Sequence, residues 1–178
     1  MNIETLYEMQ KELDARIIRE KGLEGQDLLP NTVLALQVEL GELANEWRGF
    51  KHWSNDCEPR RERMLEEYVD CLHFFLSIAR QLNVPADDLD DRDDVLEGET
   101  VTIFTEILHA VGLIEGHKFL QNFQVQGGLR GFRKFMLCDA FSLFLRLGYQ
   151  RFGFTWYEIV DAYMAKNRIN HERQKNGY

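Results

Sequence analysis

The chain has 178 residues, 44% of them hydrophobic, only three prolines, and a formal net charge of −9. That length suits one domain with a real core, no tract is biased enough to predict disorder, and the scarcity of proline favours long helices over many short strands. The acidity argues against a general nucleic-acid binder, which sets clustered Lys and Arg against phosphates, but leaves room for a small anionic substrate approached through divalent cations.

Taken in order, Met1-Asn2-Ile3-Glu4 lacks the basic region and apolar run of a signal peptide. Met1 to about Gly22 reads as a helix, with Leu6, Met9, Leu13 and Ile17 at three- and four-residue steps. A loop follows to Asn31, and Asn31 or Thr32 is the expected cap of a second helix with the stripe Val33, Leu36, Leu40, Leu43 and Trp47. Gly49 to Glu58 interrupts it. A third helix is expected from near Pro59 to about Leu82, through Leu65, Val69, Leu72, Leu76 and Ala79. Asn83 to Glu99 holds Pro85 and the acidic run Asp87, Asp88, Asp90, Asp91, Asp93 and Asp94, read as a solvated loop because EF-hand spacing is absent.

Helical pattern resumes from Val101 to about Lys118. It breaks around Gly127, Gly128 and Gly131, returns as an apolar segment from Phe132 to Tyr149, and ends in a helix from about Thr155 to Gln174. Phe119, Phe123, Phe132, Phe135, Phe141 and Phe144 read as core or subunit interface. No strand-like alternation persists, and no stretch approaches the roughly 20 apolar residues that cross a bilayer. The expectation is an all-α helical bundle, a single domain over 1–178 with a rigid core and a looser, mobile lobe about 85–150. Cys57, Cys71 and Cys138 are far apart and form no CxxC pair, so neither a zinc site nor a disulfide framework is expected; the chain reads as cytoplasmic.

The chemistry is concentrated in acids. On the second helix Glu39, Glu42 and Glu46 fall within an arc of roughly 60°, beside the apolar stripe and not opposite it. On the third, Glu67 and Asp70 are an i, i+3 pair sharing one face. Two adjacent antiparallel helices flanked in this way gather four or five carboxylates, which must take up protons or bind metal. Hard oxygen donors favour Mg²⁺ or Mn²⁺. Read without further context, the same acids could be surface carboxylates pairing with Arg60, Arg61 and Arg63.

Glu39-Leu-Gly-Glu42 followed by Glu67-Tyr-Val-Asp70 resembles the ExxE…ExxD signature of the all-α NTP pyrophosphohydrolases, which include MazG-like enzymes and the dimeric dUTPases. Four further stretches resemble the dimeric dUTPase branch. They are Met9-Gln10 with Leu13-Asp14; Phe50-Lys51-His52-Trp53; Asp70-Cys71-Leu72-His73-Phe74; and Lys166-Asn167-Arg168-Ile169-Asn170 leading to Arg173-Gln174 and Gly177-Tyr178. The resemblance spans nearly the whole chain. It implies that Glu39, Glu42, Glu67 and Asp70 hold Mg²⁺ ions (Mn²⁺ in their place) on a triphosphate, with Glu39 orienting or deprotonating the attacking water. The products would be dUMP and pyrophosphate, with dUDP a second substrate.

The same resemblance makes Lys166 and Arg173 partners for phosphates within a polar strip of Tyr163, Lys166, Asn167, Asn170, Arg173 and Gln174. Phe74, close to Glu67 and Asp70 on the helical wheel, is placed to pack on the sugar and exclude a 2′-hydroxyl. Gln10, Asp14, Lys51 and Trp53 become candidates for substrate recognition, and His73 reads as structural. A homodimer is implied, with Trp53 a candidate to cross into the neighbouring site, and no nucleic-acid or membrane partner. Two rivals stay open: a MazG-like pyrophosphohydrolase of dCTP or a modified nucleotide, and a non-enzymatic helical interaction protein.

Overall fold

The computed structural model describes residues 2–89, 94–116 and 128–177. Among them are six α-helices and no strand, as the hydrophobic periodicity requires. Helix α1 spans Ile3–Lys21; the Asn2 side chain accepts from the Thr5 N–H, and Gly22, left-handed at φ 64°, ends it. Helix α2 covers Leu29–Trp47 with Leu28 at its cap position, three residues ahead of Asn31 and four ahead of Thr32, the caps expected. Pro30 occupies its first turn, where a missing N–H costs nothing, and the Asp27 carboxylate accepts from the Leu29 N–H at 3.2 Å.

Helix α3 runs Arg61–Gln81, just after Pro59. Helices α4 (Thr100–Glu115) and α5 (Gly128–Arg146) follow, so Gly131 lies inside a helix and does not break one. A π-helical stretch, Leu147–Arg151, extends α5. Helix α6, Trp156–Lys175, opens on a capping box in which Thr155 and Glu158 satisfy each other's backbone N–H. Asp87 and Asp88, the first acids of the run between Asn83 and Glu99, sit exposed on a 3₁₀ turn, Ala86–Asp88, and Asp88 pairs with Lys134 at 2.7 Å. Asp90, Asp91, Asp93, Phe119 and Phe123 lie outside the described residues.

Side-chain pairings fix how the helices run. Glu46 meets Arg60 and Thr32 meets Gln81, so α2 and α3 are antiparallel. Gln10 meets His73 and Asp14 meets Ser77, a constant offset that sets α1 parallel to α3. Arg61 meets Glu158 and Asp70 meets Lys166, which lays α6 along α3 in the same direction. Helix α3 therefore packs against α1, α2 and α6, and its buried face from Met64 to Ala79 is the centre of the core.

Helix α4 packs on α2 and on α5. Ile107, Val111, Phe141 and Phe144 are fully buried and join the same apolar cluster as Leu36, Leu40 and Leu72. The described parts of the region expected to be looser thus share one core with the rest. Phe135, by contrast, is 59% exposed. At the π-helical stretch the chain passes so close to Tyr68 that a Cβ on Gly148 would lie 2.5–2.7 Å from its ring and hydroxyl. Tyr68 itself stacks on Phe144 with centroids 4.1 Å apart.

Candidate active site

Helical periodicity carries Glu39 on α2 and Glu67 and Asp70 on α3 to one place, because each acid edges the stripe that holds the two helices together. In the structure one carboxylate oxygen from each of these three residues lies within 4.8 Å of the others. The electrostatic consequence is plain. Burial, reinforced by Asp70, Glu42 and Glu67, pushes the Glu39 carboxyl up to about 7. Burial and the neighbouring acids also raise Glu67, and burial raises Asp70 against the opposing pull of Lys166. Glu42 is exposed on the next turn of α2 and adds its charge to all three.

Glu46, which falls in the same arc of α2, goes elsewhere. It is buried and accepts from Arg60 at 3.3 Å, where the chain turns back from α2 into α3. For this one acid the ordinary pairing reading holds.

Glu39 and Asp70 also face a cleft of about 370 Å³ lined by α1, α2, α3 and α6, within the range of roughly 300–1,000 Å³ usual for small-ligand sites. Gln10 and Asp14 of α1, Phe74 of α3, and Lys166, Asn170 and Arg173 of α6 all line it. The Lys166 ammonium donates to the Asp70 carboxylate, so the site pairs its acids with a cation drawn from the last helix. The structure sets Asn167 apart from this group. Neighbouring residues on a helix diverge by about 100°, and Asn167 turns into the core, 5% exposed, while Lys166 and Asn170 face the cavity. Tyr163 is buried likewise.

Lys51 and Trp53 lie on the 48–60 loop and do not line the cavity. The loop is built around Arg48, which holds a left-handed φ of 65°. Its guanidinium donates to the Asp56 carbonyl at 2.9 and 2.6 Å and pairs with the Asp56 carboxylate. Lys51 donates to Asn45, and Trp53, 67% exposed, meets Phe50 and His52 edge-on.

A buried polar network forms one wall. Asp14 accepts from Gln10 Nε2 at 2.8 Å, from Ser77 Oγ at 2.8 Å and from Arg80 Nε at 2.7 Å. Gln10 Oε1 meets His73 Nδ1 at 2.6 Å and accepts from the Tyr163 hydroxyl at 3.0 Å. The His73 and Tyr163 rings stack at 4.0 Å. Burial, with Lys166 adding to it, lowers His73 to about 3, so the ring is neutral at physiological pH. Ser77 and Arg80 escape the sequence reading, although a signal exists: Asp70, His73, Ser77 and Arg80 follow one another at three- and four-residue steps down a single polar stripe of α3.

No described helix is long and apolar enough to cross a membrane, and the three cysteines are free. No curated protein matches the chain significantly. The family model described as dUTPase matches residues 2–178, from the cap of α1 to the last residue. With that match along its length, an all-α fold and an acidic cluster opening on a cleft between helices, the chain belongs to the all-α dUTPase family and is a dUTP diphosphatase.

Proposed function

We propose that the protein hydrolyses dUTP to dUMP and pyrophosphate with Mg²⁺ as its resident cation, Mn²⁺ substituting, and that it also cleaves dUDP. The observation carrying this reading is that Glu39 and Asp70 belong both to the acidic cluster and to the cavity wall. The donor set suits a hard divalent cation: all the donors are carboxylate oxygens, and burial together with their mutual repulsion raises the Glu39 carboxyl, a cost that a bound cation would offset. Glu39, Glu42, Glu67 and Asp70 would hold the metal, which when bound supplies charge neutralisation to the phosphate chain.

The chain's own residues do the rest. Glu39 is the base. It receives the proton of the water that attacks the α-phosphorus as the α–β phosphoanhydride bond breaks and pyrophosphate departs. Lys166 and Arg173 bind the leaving phosphates, assisted by Asn170. Gln10 and Asp14 orient the nucleoside, and Phe74 packs on its sugar. Lys51 and Trp53 act from the 48–60 loop, Trp53 toward the site of a second copy. The working assembly is a homodimer acting in the cytoplasm; Leu34 and Val38, exposed one turn apart on α2, offer apolar surface for it, and free thiols suit that compartment.

The test is product release from each dNTP and from UTP with Mg²⁺, with Glu39→Gln and Glu42→Ala alongside. Metal-dependent conversion of dUTP to dUMP is expected, and Glu39→Gln should lower kcat by a factor on the order of 10²–10⁴, the usual worth of general base catalysis. Near-normal turnover in Glu39→Gln would remove the base assignment. Equal cleavage of dCTP and dUTP would remove the uracil preference.

A further inference from the structure

The end of the cleft remote from the acids has its own polar pair. Asp70 and Arg80 are ten residues, about 15 Å, apart along α3, with Phe74 between them. Arg80 and Gln81 both line the cleft. The offset that pairs Gln10 with His73 and Asp14 with Ser77 sets Ile17 and Ile18 of α1 level with them, and these line it too. Two polar groups flanked by apolar side chains suit a flat heterocycle that carries hydrogen-bonding groups on its edge.

What the pair can offer follows from its neighbours. The Thr32 hydroxyl donates to the Leu28 carbonyl at 2.9 Å, and the Ser77 hydroxyl to the Asp14 carboxylate at 2.8 Å. Each hydroxyl has one proton, so toward Gln81 both can only accept. The Gln81 NH₂ therefore faces them, 2.9 Å from Thr32 and 3.3 Å from Ser77, and its carbonyl oxygen is turned away from both. Among the described residues that oxygen accepts from no group, and it is not sealed from solvent. Arg80 commits Nε to Asp14 at 2.7 Å. Its two terminal nitrogens hydrogen-bond to no described residue and keep open surface on a side chain 25% exposed. A guanidinium only donates. Through Asp14 and Ser77 the two side chains belong to one chain of hydrogen bonds, which fixes a donor and an acceptor near each other.

We infer that Arg80 and Gln81 read the base: an Arg80 N–H donates to uracil O4, and the Gln81 carbonyl oxygen accepts the imide N–H at N3. The inference rests on the cleft being the nucleotide site. Cytosine reverses this edge, with an amino group at position 4 and a bare ring nitrogen at N3. Facing it, the guanidinium would meet a donor and the amide oxygen a lone pair, so both contacts would turn repulsive. Thymine shares the edge of uracil, so the pair sorts against cytosine alone.

Calorimetric binding to the full chain with Mg²⁺ tests this, using the α,β-imido analogues of dUTP, of its N3-methyl form and of dCTP. The wild type should bind the N3-methyl analogue at least about tenfold more weakly than the parent, the worth of one hydrogen bond lost with its partner left unmade. Gln81→Ala should erase that difference, having neither the acceptor nor the bulk that opposes a methyl group. Arg80→Met should narrow the preference for the dUTP analogue over the dCTP analogue by about tenfold, and Arg80→Lys, which keeps a donor, should restore most of it. A ratio measured within one variant is unaffected by the fraction that folds, and the wild-type comparison stands even if a variant is lost. Equal wild-type affinity for the parent and N3-methyl analogues, an undiminished N3-methyl penalty in Gln81→Ala, or an unchanged base preference in Arg80→Met would each overturn the inference. A wild type that neither binds nor cleaves dUTP would overturn the wider reading and this one with it, whereas tight dUTP binding indifferent to N3-methylation overturns this one alone.

Discussion

Phe74 and His73 are neighbours in sequence on α3, yet the cavity receives them differently: Phe74 is half-buried along the wall beside Asp70, and His73 is locked into the network behind it. Phe74→Ala should relax discrimination against UTP by about tenfold, since the lost contact is of the order of one apolar group; unaltered selectivity in competitive dUTP and UTP assays would return Phe74 to a packing role. For His73 the folded value of about 3 lies below its ordinary 6.5. Between those values the unfolded chain binds a proton that the folded chain refuses, so stability is full above pH 6.5 and falls as pH drops through that window. Denaturant midpoints should show the wild type losing about 2 kcal/mol between pH 7 and pH 5 that His73→Asn does not lose. Parallel pH profiles for the two proteins would contradict the neutral, buried imidazole.

At the scale of the element, the sequence is most informative where a helix decides the answer alone. The angular position of Glu39, Glu67 and Asp70 follows from 3.6 residues per turn, and their meeting follows from two stripes that must face each other. Glu46 satisfies the same angle but lies at the end of α2, where Arg60 comes back within reach, a consequence of the chain reversal that periodicity does not contain. Asp14, Ser77 and Arg80 illustrate the same limit. Each sits on a legible helix face, but their contact depends on the offset between α1 and α3, which is a tertiary property. Helix α2 is capped three residues before Asn31 and four before Thr32 because Pro30 can lie inside a first turn as readily as before it. The π-helical stretch is not legible at all; in the structure it brings Gly148 directly over the ring of Tyr68. Gly148→Ala should therefore destabilise the fold by about 1–3 kcal/mol, the cost of overpacking a rigid neighbour, and thermal denaturation would measure it. An unchanged midpoint would mean that the π-helical turn yields without disturbing Tyr68.

For the whole molecule, the acidic cluster couples stability to the cation. A ligand that binds only the folded chain stabilises it by about 2.7 kcal/mol at a hundred times its dissociation constant. Mg²⁺ should accordingly raise the melting temperature in a saturable way, and Glu67→Gln should blunt that response with the fold intact by circular dichroism. A melting temperature indifferent to Mg²⁺ and Mn²⁺ would remove the cation from this site.

The cavity is lined by both α1 and α6, far apart in sequence. Tyr163 on α6 donates to the Leu6 carbonyl of α1 across 157 residues of sequence, and Arg16 of α1 donates to the His171 carbonyl of α6 at 3.0 Å. During synthesis, α1 emerges well before α6 and waits for it. A nascent chain stalled anywhere before α6 carries the acids of α2 and α3 without the lysine that answers them. The cavity is thus complete only once α6 docks on α1, and these two helices cannot be separated without dismantling the site between them.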